Sequence, residues 1–111
     1  VFLNVVNNAC EAMEESENKI LDIKMYYEDE HFVSEIKDTG MGVAKEDYSK
    51  VFTPFFTTKK MGKGTGLGLP ISYGIIKMHR GYITFQSDVG KGTTFKIKLP
   101  TKLDAQNIIA N

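Results

Sequence analysis

Three glycine-rich segments contain the residue types in this sequence that are best suited to chemistry. They are Asp38-Thr39-Gly40-Met41-Gly42, Gly62-Lys63-Gly64-Thr65-Gly66-Leu67-Gly68 and Gly90-Lys91-Gly92-Thr93. Glycine costs chain entropy, so such density is expected where the backbone takes positive φ or approaches a ligand closely. Backbone N–H groups beside lysines suit an anion such as phosphate. The Asp38 carboxylate suits the opposite task, accepting a hydrogen bond from an amine such as that of a purine. Together the segments predict a nucleotide site.

The two commonest phosphate-binding glycine patterns do not fit these segments. The Walker pattern fails at Gly62-Lys63 and at Gly90-Lys91, because neither lysine has the required spacing. The dinucleotide pattern would need a glycine at Leu67, Leu69 or Ile71, for starts at Gly62, Gly64 and Gly66. A third phosphate-binding architecture is therefore expected.

Composition limits the class of protein. The chain has 111 residues, enough for one domain, and its formal net charge is zero, which argues against nucleic acid or an anionic membrane as the main partner. The single cysteine, Cys10, cannot form an internal disulfide, which fits a reducing compartment. No apolar run is long enough to span a bilayer and no signal-peptide pattern opens the chain. Because residues 1–6 begin abruptly within an amphipathic segment, we expect a piece of a larger protein, with any membrane anchor outside it. The expected compartment of this domain is the cytoplasm.

Hydrophobic periodicity predicts the elements that must position the glycine-rich segments. The predicted elements are a helix over 1–16, strands over 21–27 and 31–37, a short helix over 44–51, a helix from about Pro70 to Gly81, and strands over 82–87 and 93–99. The strand over 31–37 delivers Asp38 at its end. Clean alternation within the strands, including a half-buried strand over 21–27, predicts one sheet face towards water and the other covered by helices. The expected fold class is α+β, a two-layer α/β sandwich.

The motifs also occur in a familiar order: an asparagine pair on the first helix, D-x-G-x-G after a strand, a Phe-rich loop, G-x-G-x-G-L-G-L opening a helix, and a late G-x-G-T. This ordered set resembles the catalytic ATP-binding domain of two-component sensor histidine kinases, whose Bergerat fold is shared with gyrase, Hsp90 and MutL ATPases. The loop Thr-Pro-Phe-Phe-Thr-Thr-Lys is typical of the histidine kinase branch. The resemblance implies a mixed, mostly antiparallel sheet with helices on one face and an N-terminal truncation. It also implies a catalytic domain over 1–100, a lid loop at about 57–66, and a tail over 101–111.

The resemblance implies a role for each matching residue at the base and metal side of the site. Asn8 is the expected Mg²⁺ ligand, since a hard cation prefers oxygen ligands. Asn4, one turn earlier, lines the same site, and both asparagines are candidate catalytic residues. Asp38 is expected to accept from the adenine amine, with Gly40 and Gly42 beside the ring. A further expectation is that the Thr93 hydroxyl joins Asp38 through an ordered water.

The resemblance also implies which residues contact the phosphates. The candidates that neutralise phosphate charge are Lys59, Lys60 and Lys63. The candidates at the helix N-terminus are Gly64, Thr65, Gly66, Leu67 and Gly68, whose backbone N–H groups would face the phosphates. Many family members carry a basic residue and a tyrosine where this chain has Glu11 and Ala12. More of the neutralisation is therefore expected from the loop lysines.

The resemblance implies Mg-ATP as cofactor and autophosphorylation as function. Gyrase-type members carry a glutamate base where this chain has Asn4, which cannot take a proton at neutral pH. We therefore expect ATP to be bound while water is poorly activated, so that the γ-phosphoryl is kept for another acceptor. In the family that acceptor is a histidine on a separate dimerisation domain, with a response regulator downstream.

Two alternatives stay open. One is an anti-sigma-type serine kinase of the same fold, against which the Phe-rich loop argues. The other is a non-catalytic nucleotide-sensing module, against which the presence of all the motifs argues. Neither His31 nor His79 lies in a phosphoacceptor motif, so the acceptor histidine is expected outside this chain.

Overall fold

A computed structural model describes residues 1–53 and 68–101 of the chain. The elements follow the order α1 (Phe2–Ala12), β1 (Leu21–Glu28), β2 (His31–Asp38), a short 3₁₀ helix (Lys45–Lys50), α2 (Gly68–Met78), β3 (Tyr82–Asp88) and β4 (Gly92–Pro100). The predicted lid loop lies outside the described residues, as does the predicted C-terminal tail apart from its first residue, Thr101. The proposed domain bounds stay a prediction.

The four strands form one sheet in the order β1-β2-β4-β3. Each neighbouring pair is antiparallel. Helix α1 packs against β2 and β4, and α2 packs against β3, so the helices form the second layer. The predicted two-layer α+β sandwich is confirmed, and all strand pairs in the described ranges are antiparallel.

The core lies between the helices and the centre of the sheet. Its buried members are Val5, Ile36, Val51, Ile76, Ile83, Phe95 and Ile97. On α1 the helical spacing of Val5 and Ala9, continued by Met13 directly after the helix, brings one apolar face onto the sheet. On β2 and β4 the register pairs Ile36 with Phe95, which stacks inward-facing residues of neighbouring strands. Within the described ranges neither helix has the length and apolarity needed to cross a bilayer.

Strand β1 is less buried than its alternating pattern predicts. Ile23, Met25 and Tyr27 are 46%, 57% and 73% exposed. They lie in register with inward-facing residues of β2, but β1 is at the sheet edge and the two helices pack over the other three strands. The prediction of a half-buried strand was therefore wrong in its burial and right in its position, because alternation reports which residues share a face and not what covers that face.

Two helix predictions also need correction. Helix α1 ends at Ala12 instead of reaching residue 16, and the chain leaves it through backbone bonds from Met13 to Ala9 and Cys10. The last turn has no basic residue, and the acidic Glu14 and Glu15 follow it, which is unfavourable for extending the helix at the negative end of its dipole. The predicted short helix over 44–51 is a 3₁₀ helix.

The turn between β3 and β4 holds the backbone of Asp38. Gly92 takes a φ of +126°, and a Cβ built there would lie 2.0 Å from the Asp38 carbonyl oxygen. Gly90, in the same turn, takes a φ of +80°, but a Cβ there would meet no atom within 4 Å. Gly92 is thus needed for both conformation and space, whereas Gly90 is needed for conformation alone.

This difference gives a stability prediction. Gly92→Ala should lower the free energy of unfolding by at least about 2 kcal/mol more than Gly90→Ala. Both variants strain a position with positive φ, but only Gly92→Ala adds a clash with the Asp38 backbone. Urea unfolding of both variants measures it through the midpoint at constant slope. Equal midpoints for the two variants would contradict the proposed contact.

Candidate nucleotide site

Asp38 ends β2 and is buried, with 1% of its surface exposed. Its Oδ1 accepts hydrogen bonds from the backbone N–H groups of Gly40 at 2.8 Å and Thr93 at 3.2 Å. Burial raises the pKa of Asp38 above its usual value, and these two donors act in the opposite direction. Its Oδ2 is buried and has no hydrogen-bond partner among the described residues. A buried oxygen left in this state costs free energy, so a ligand that brings an N–H donor would be stabilised there.

Gly40 and Gly42 are packed against protein backbone. A Cβ at Gly40 would lie 2.5 Å from the carbonyl oxygen of Ala12, and one at Gly42 would lie 2.2 Å from that of Asp88. The segment after Asp38 is therefore held between the end of α1 and the end of β3. Packing within the protein is sufficient to require both glycines, and their predicted place beside a purine ring stays a prediction.

Helix α1 connects the Asp38 segment with the start of α2. At one end, the Met41 N–H donates to the Ala12 carbonyl at 3.0 Å. At the other end, Asn4 Nδ2 donates to the Gly68 carbonyl at 3.4 Å and to Ser72 Oγ at 3.3 Å. Ala12 and Asn4 are eight residues apart, about 12 Å along a helix axis. The helix therefore forms one wall between the buried carboxyl and the N-terminus of α2.

Asn8 lies on this wall, two turns after the start of α1, and is half-buried. It is spaced four residues from Asn4 and four from Ala12, so these three positions follow one side of the helix. In the described ranges, no group of three or more His, Cys, Asp or Glu residues is suited to a metal ion. The prediction for this wall is therefore that Asn8 ligates Mg²⁺ through its one amide oxygen.

The predicted phosphate side is described only in part. Gly68 is the first residue of α2, whose N-terminal turn Asn4 contacts. The remaining candidates on this side lie outside the described residues: Lys59, Lys60, Lys63, Gly64, Thr65, Gly66 and Leu67. Their roles stay predictions.

Two residues of the site region were not singled out from the sequence. Ser87 is buried on β3, and its Oγ lies 2.8 Å from Thr93 Oγ1. Tyr48, on the 3₁₀ helix, bonds through its hydroxyl to both the backbone N–H and the carbonyl of Ser87. The one available signal was a small polar residue at an inward-facing position of a strand, directly before the Gly90 turn. That signal does not indicate a partner.

Comparison with known proteins gives the family. Residues 1–103 match the family described as histidine kinase-, DNA gyrase B-, and HSP90-like ATPase. The chain is 44% identical to the sensor kinase CckA of Brucella abortus over 94% of the chain and 12% of that protein. It is 42% identical to sporulation kinase E of Bacillus subtilis over 96% of the chain and 14% of that protein. The chain thus spans a small part of the length of these relatives.

Solved structures give the same result. The mycobacterial sensor histidine kinase MprB superposes with a TM-score of 0.75 at 28% identity, over 88% of this chain and 66% of that one. A nucleotide-free form of the catalytic domain of histidine kinase ThkA gives 0.74 at 34% identity, over 89% and 62%. This chain therefore belongs to the histidine kinase-, DNA gyrase B- and HSP90-like ATPase family, as a domain homologous to the catalytic domains of sensor histidine kinases.

Proposed function

We propose that this domain binds Mg-ATP and supplies the γ-phosphoryl group to a histidine on a separate phosphoacceptor domain. The observation that carries the proposal is the buried Asp38 carboxyl, which has one oxygen held by two backbone donors and the other without a partner among the described residues. A response regulator would act downstream, and the cytoplasm is the expected compartment because the substrate is ATP.

The carboxyl of Asp38 suits the exocyclic amine of adenine. Its Oδ1 is occupied by Gly40 and Thr93, so the orientation of the carboxyl is set before a ligand arrives. When the group is ionised, its Oδ2 can only accept hydrogen bonds and offers its full acceptor capacity. A carboxylate that accepts an N–H in a buried place forms a charge-assisted hydrogen bond, which is stronger than a neutral one.

The residues present also fit a magnesium ion that is shared with phosphates. Mg²⁺ usually takes one or two protein oxygens and completes its octahedral shell with substrate phosphates and waters. The single amide of Asn8, on the α1 wall between the Asp38 segment and α2, suits that role. The ion would screen the charge of the phosphates, while Asn8 would fix its place relative to α1.

The amide of Asn4 favours transfer of the γ-phosphoryl group to another acceptor over hydrolysis of ATP. Its amide nitrogen donates to Gly68 and Ser72, so the side chain holds the first turn of α2 in place. An amide has no basic atom at neutral pH and cannot remove a proton from an attacking water. The proposal is that ATP is retained until the histidine of the acceptor domain reaches the γ-phosphoryl.

The names of the relatives favour the histidine kinase branch over the alternatives. Sensor kinases, sporulation kinases and sensor histidine kinases are among the proteins to which the chain is similar. A serine kinase of the same fold, or a nucleotide-sensing module without transfer, would use the same purine site. The phosphorylated product decides between them.

Removal of the Asp38 charge gives the first binding prediction. Asp38→Asn keeps an oxygen for the Gly40 and Thr93 donors but turns an N–H group towards the adenine amine. ADP affinity should fall roughly tenfold to a hundredfold in isothermal titration calorimetry. The matched control is Asp22→Asn, which removes one exposed carboxylate on β1 and should leave ADP affinity unchanged. Unchanged ADP affinity in Asp38→Asn would disprove the adenine role.

Metal dependence tests Asn8. Asn8→Ala should lower ATP affinity in the presence of Mg²⁺ by at least about tenfold, with a much smaller loss in EDTA. Asn7→Ala, on the exposed side of the same helix, is the control and should change neither value. Equal losses with and without the metal would count against ligation.

The acceptor is tested by the chemistry of the product. The chain, incubated with radiolabelled ATP and a histidine-containing phosphoacceptor domain added in trans, should transfer label that is lost in acid and kept in base, as expected of phosphohistidine. Acid-stable label would identify the serine kinase alternative. ATP binding without any transfer would identify the sensing module, and rapid ATP hydrolysis by the chain alone would contradict the role given to Asn4.

A further inference from the structure

Ser87 lies at the centre of a hydrogen-bond cluster that includes Thr93, the residue whose backbone N–H contacts Asp38. Its Oγ is 2.7 Å from the backbone nitrogen of Val43, 3.0 Å from the Gly92 carbonyl oxygen and 2.8 Å from Thr93 Oγ1. The residue is buried, with 8% of its surface exposed. Two separate parts of the chain therefore meet at this hydroxyl of β3: Val43, directly after the Asp38 segment, and the first two residues of β4.

The direction of each hydrogen bond follows from the chemistry of the partners. A hydroxyl has one proton to donate and two lone pairs. The Val43 N–H can only donate, so it occupies one lone pair of Ser87. The Gly92 carbonyl can only accept, so it takes the Ser87 proton. The second lone pair of Ser87 is then left for Thr93, which satisfies all three contacts only when Thr93 donates its own proton to Ser87.

This arrangement fixes what Thr93 offers on its other side. With its proton directed to Ser87, the Thr93 hydroxyl has only acceptor capacity left. The same residue touches Asp38, because its backbone N–H donates to Asp38 Oδ1 at 3.2 Å. Thr93 is thus a direct neighbour of Asp38, and the two residues offer a pair of acceptors, Asp38 Oδ2 and Thr93 Oγ1. Such a pair favours a group with hydrogens to donate, directly or through a water, and disfavours a group that can only accept.

Tyr48 holds Ser87 from the backbone side. The Tyr48 hydroxyl accepts from the Ser87 N–H at 3.1 Å and donates to the Ser87 carbonyl. Its ring packs edge-on against Phe85, two residues earlier on β3, with ring centroids 4.8 Å apart. The backbone of Ser87 is therefore held by Tyr48, while its hydroxyl is oriented by its own hydrogen bonds.

We infer that Ser87 is a positioning residue for base selectivity, which fixes the Thr93 hydroxyl as an acceptor so that the site takes a 6-amino purine over a 6-oxo purine. The inference rests on the proposed purine site at Asp38 and adds a residue that does not touch the nucleotide. Without Ser87 the Thr93 hydroxyl is free to rotate and to donate towards a 6-oxo group, so discrimination should decrease.

The test compares ADP with inosine diphosphate, which carries an oxygen in place of the amine, by titration calorimetry on the same chain. Ser87→Ala should lower the ratio of ADP to inosine diphosphate affinity by about fivefold or more, the effect of one neutral hydrogen bond. Ser34→Ala is the matched control, because Ser34 is also a buried serine on the sheet, with 1% exposure, and its Oγ has no partner among the described residues. That variant should leave the ratio unchanged.

A second variant background, Thr93→Val, separates the orientation of the Thr93 hydroxyl from a general loosening of the site. In Thr93→Val no hydroxyl is left to orient, so adding Ser87→Ala there should not change the ratio further. A ratio that falls equally in both backgrounds would show a structural effect and overturn the inference. Should Ser87→Ala not fold, Ser87→Cys, whose thiol is a weak donor and acceptor, should still lower the ratio, and an unchanged ratio would overturn the inference.

The outcome also distinguishes this inference from the proposed function. A wild-type chain that prefers ADP, with the same preference in Ser87→Ala, would leave the purine site in place and reject the role of Ser87. A wild-type chain that binds neither nucleotide would reject both.

Discussion

A half-satisfied buried carboxyl is the constraint on which this site depends. Asp38 is removed from water at the end of β2, yet its described partners are two backbone donors on one oxygen. Burial raises its pKa, which means that the folded state works against the ionised form. A protein keeps such a group where a ligand completes its hydrogen bonds. The glycines around it let backbone from α1, β3 and β4 approach closely enough to hold the carboxyl in one orientation.

Different elements of the fold form the base side and the phosphate side of the site. The sheet supplies the carboxyl through β2 and the supporting hydroxyls through β3 and β4. Helix α1 supplies a wall, fixed at one end by the contact between Met41 and Ala12 and at the other by the contact of Asn4 with α2. A change in the packing of α1 would therefore alter both sides of the site together, which links stability of this small domain to its function.

The sequence patterns predicted where the elements lie along the chain, but not which elements pack over them. Alternation placed β1 correctly but did not reveal that Met25 and Tyr27 lie uncovered at the sheet edge, because burial depends on which element packs above a strand. Asp38 and its glycines alone would also fit a turn, but they stood out because they follow a strand and occur together with two further glycine-rich segments. Ser87 did not, since a serine in a strand has no distinctive pattern, and its importance arises only from three groups that folding brings to one atom.

The central claim is that Asp38 Oδ2 is the acceptor for the exocyclic amine of a bound adenine. The most direct test is a crystal structure of the chain with Mg-ADP, in which the distance from Asp38 Oδ2 to the adenine N6 is measured. The account predicts a hydrogen bond of about 2.7–3.2 Å. A nucleotide whose adenine lies elsewhere, leaving Asp38 Oδ2 without a ligand atom within hydrogen-bond reach, would contradict it.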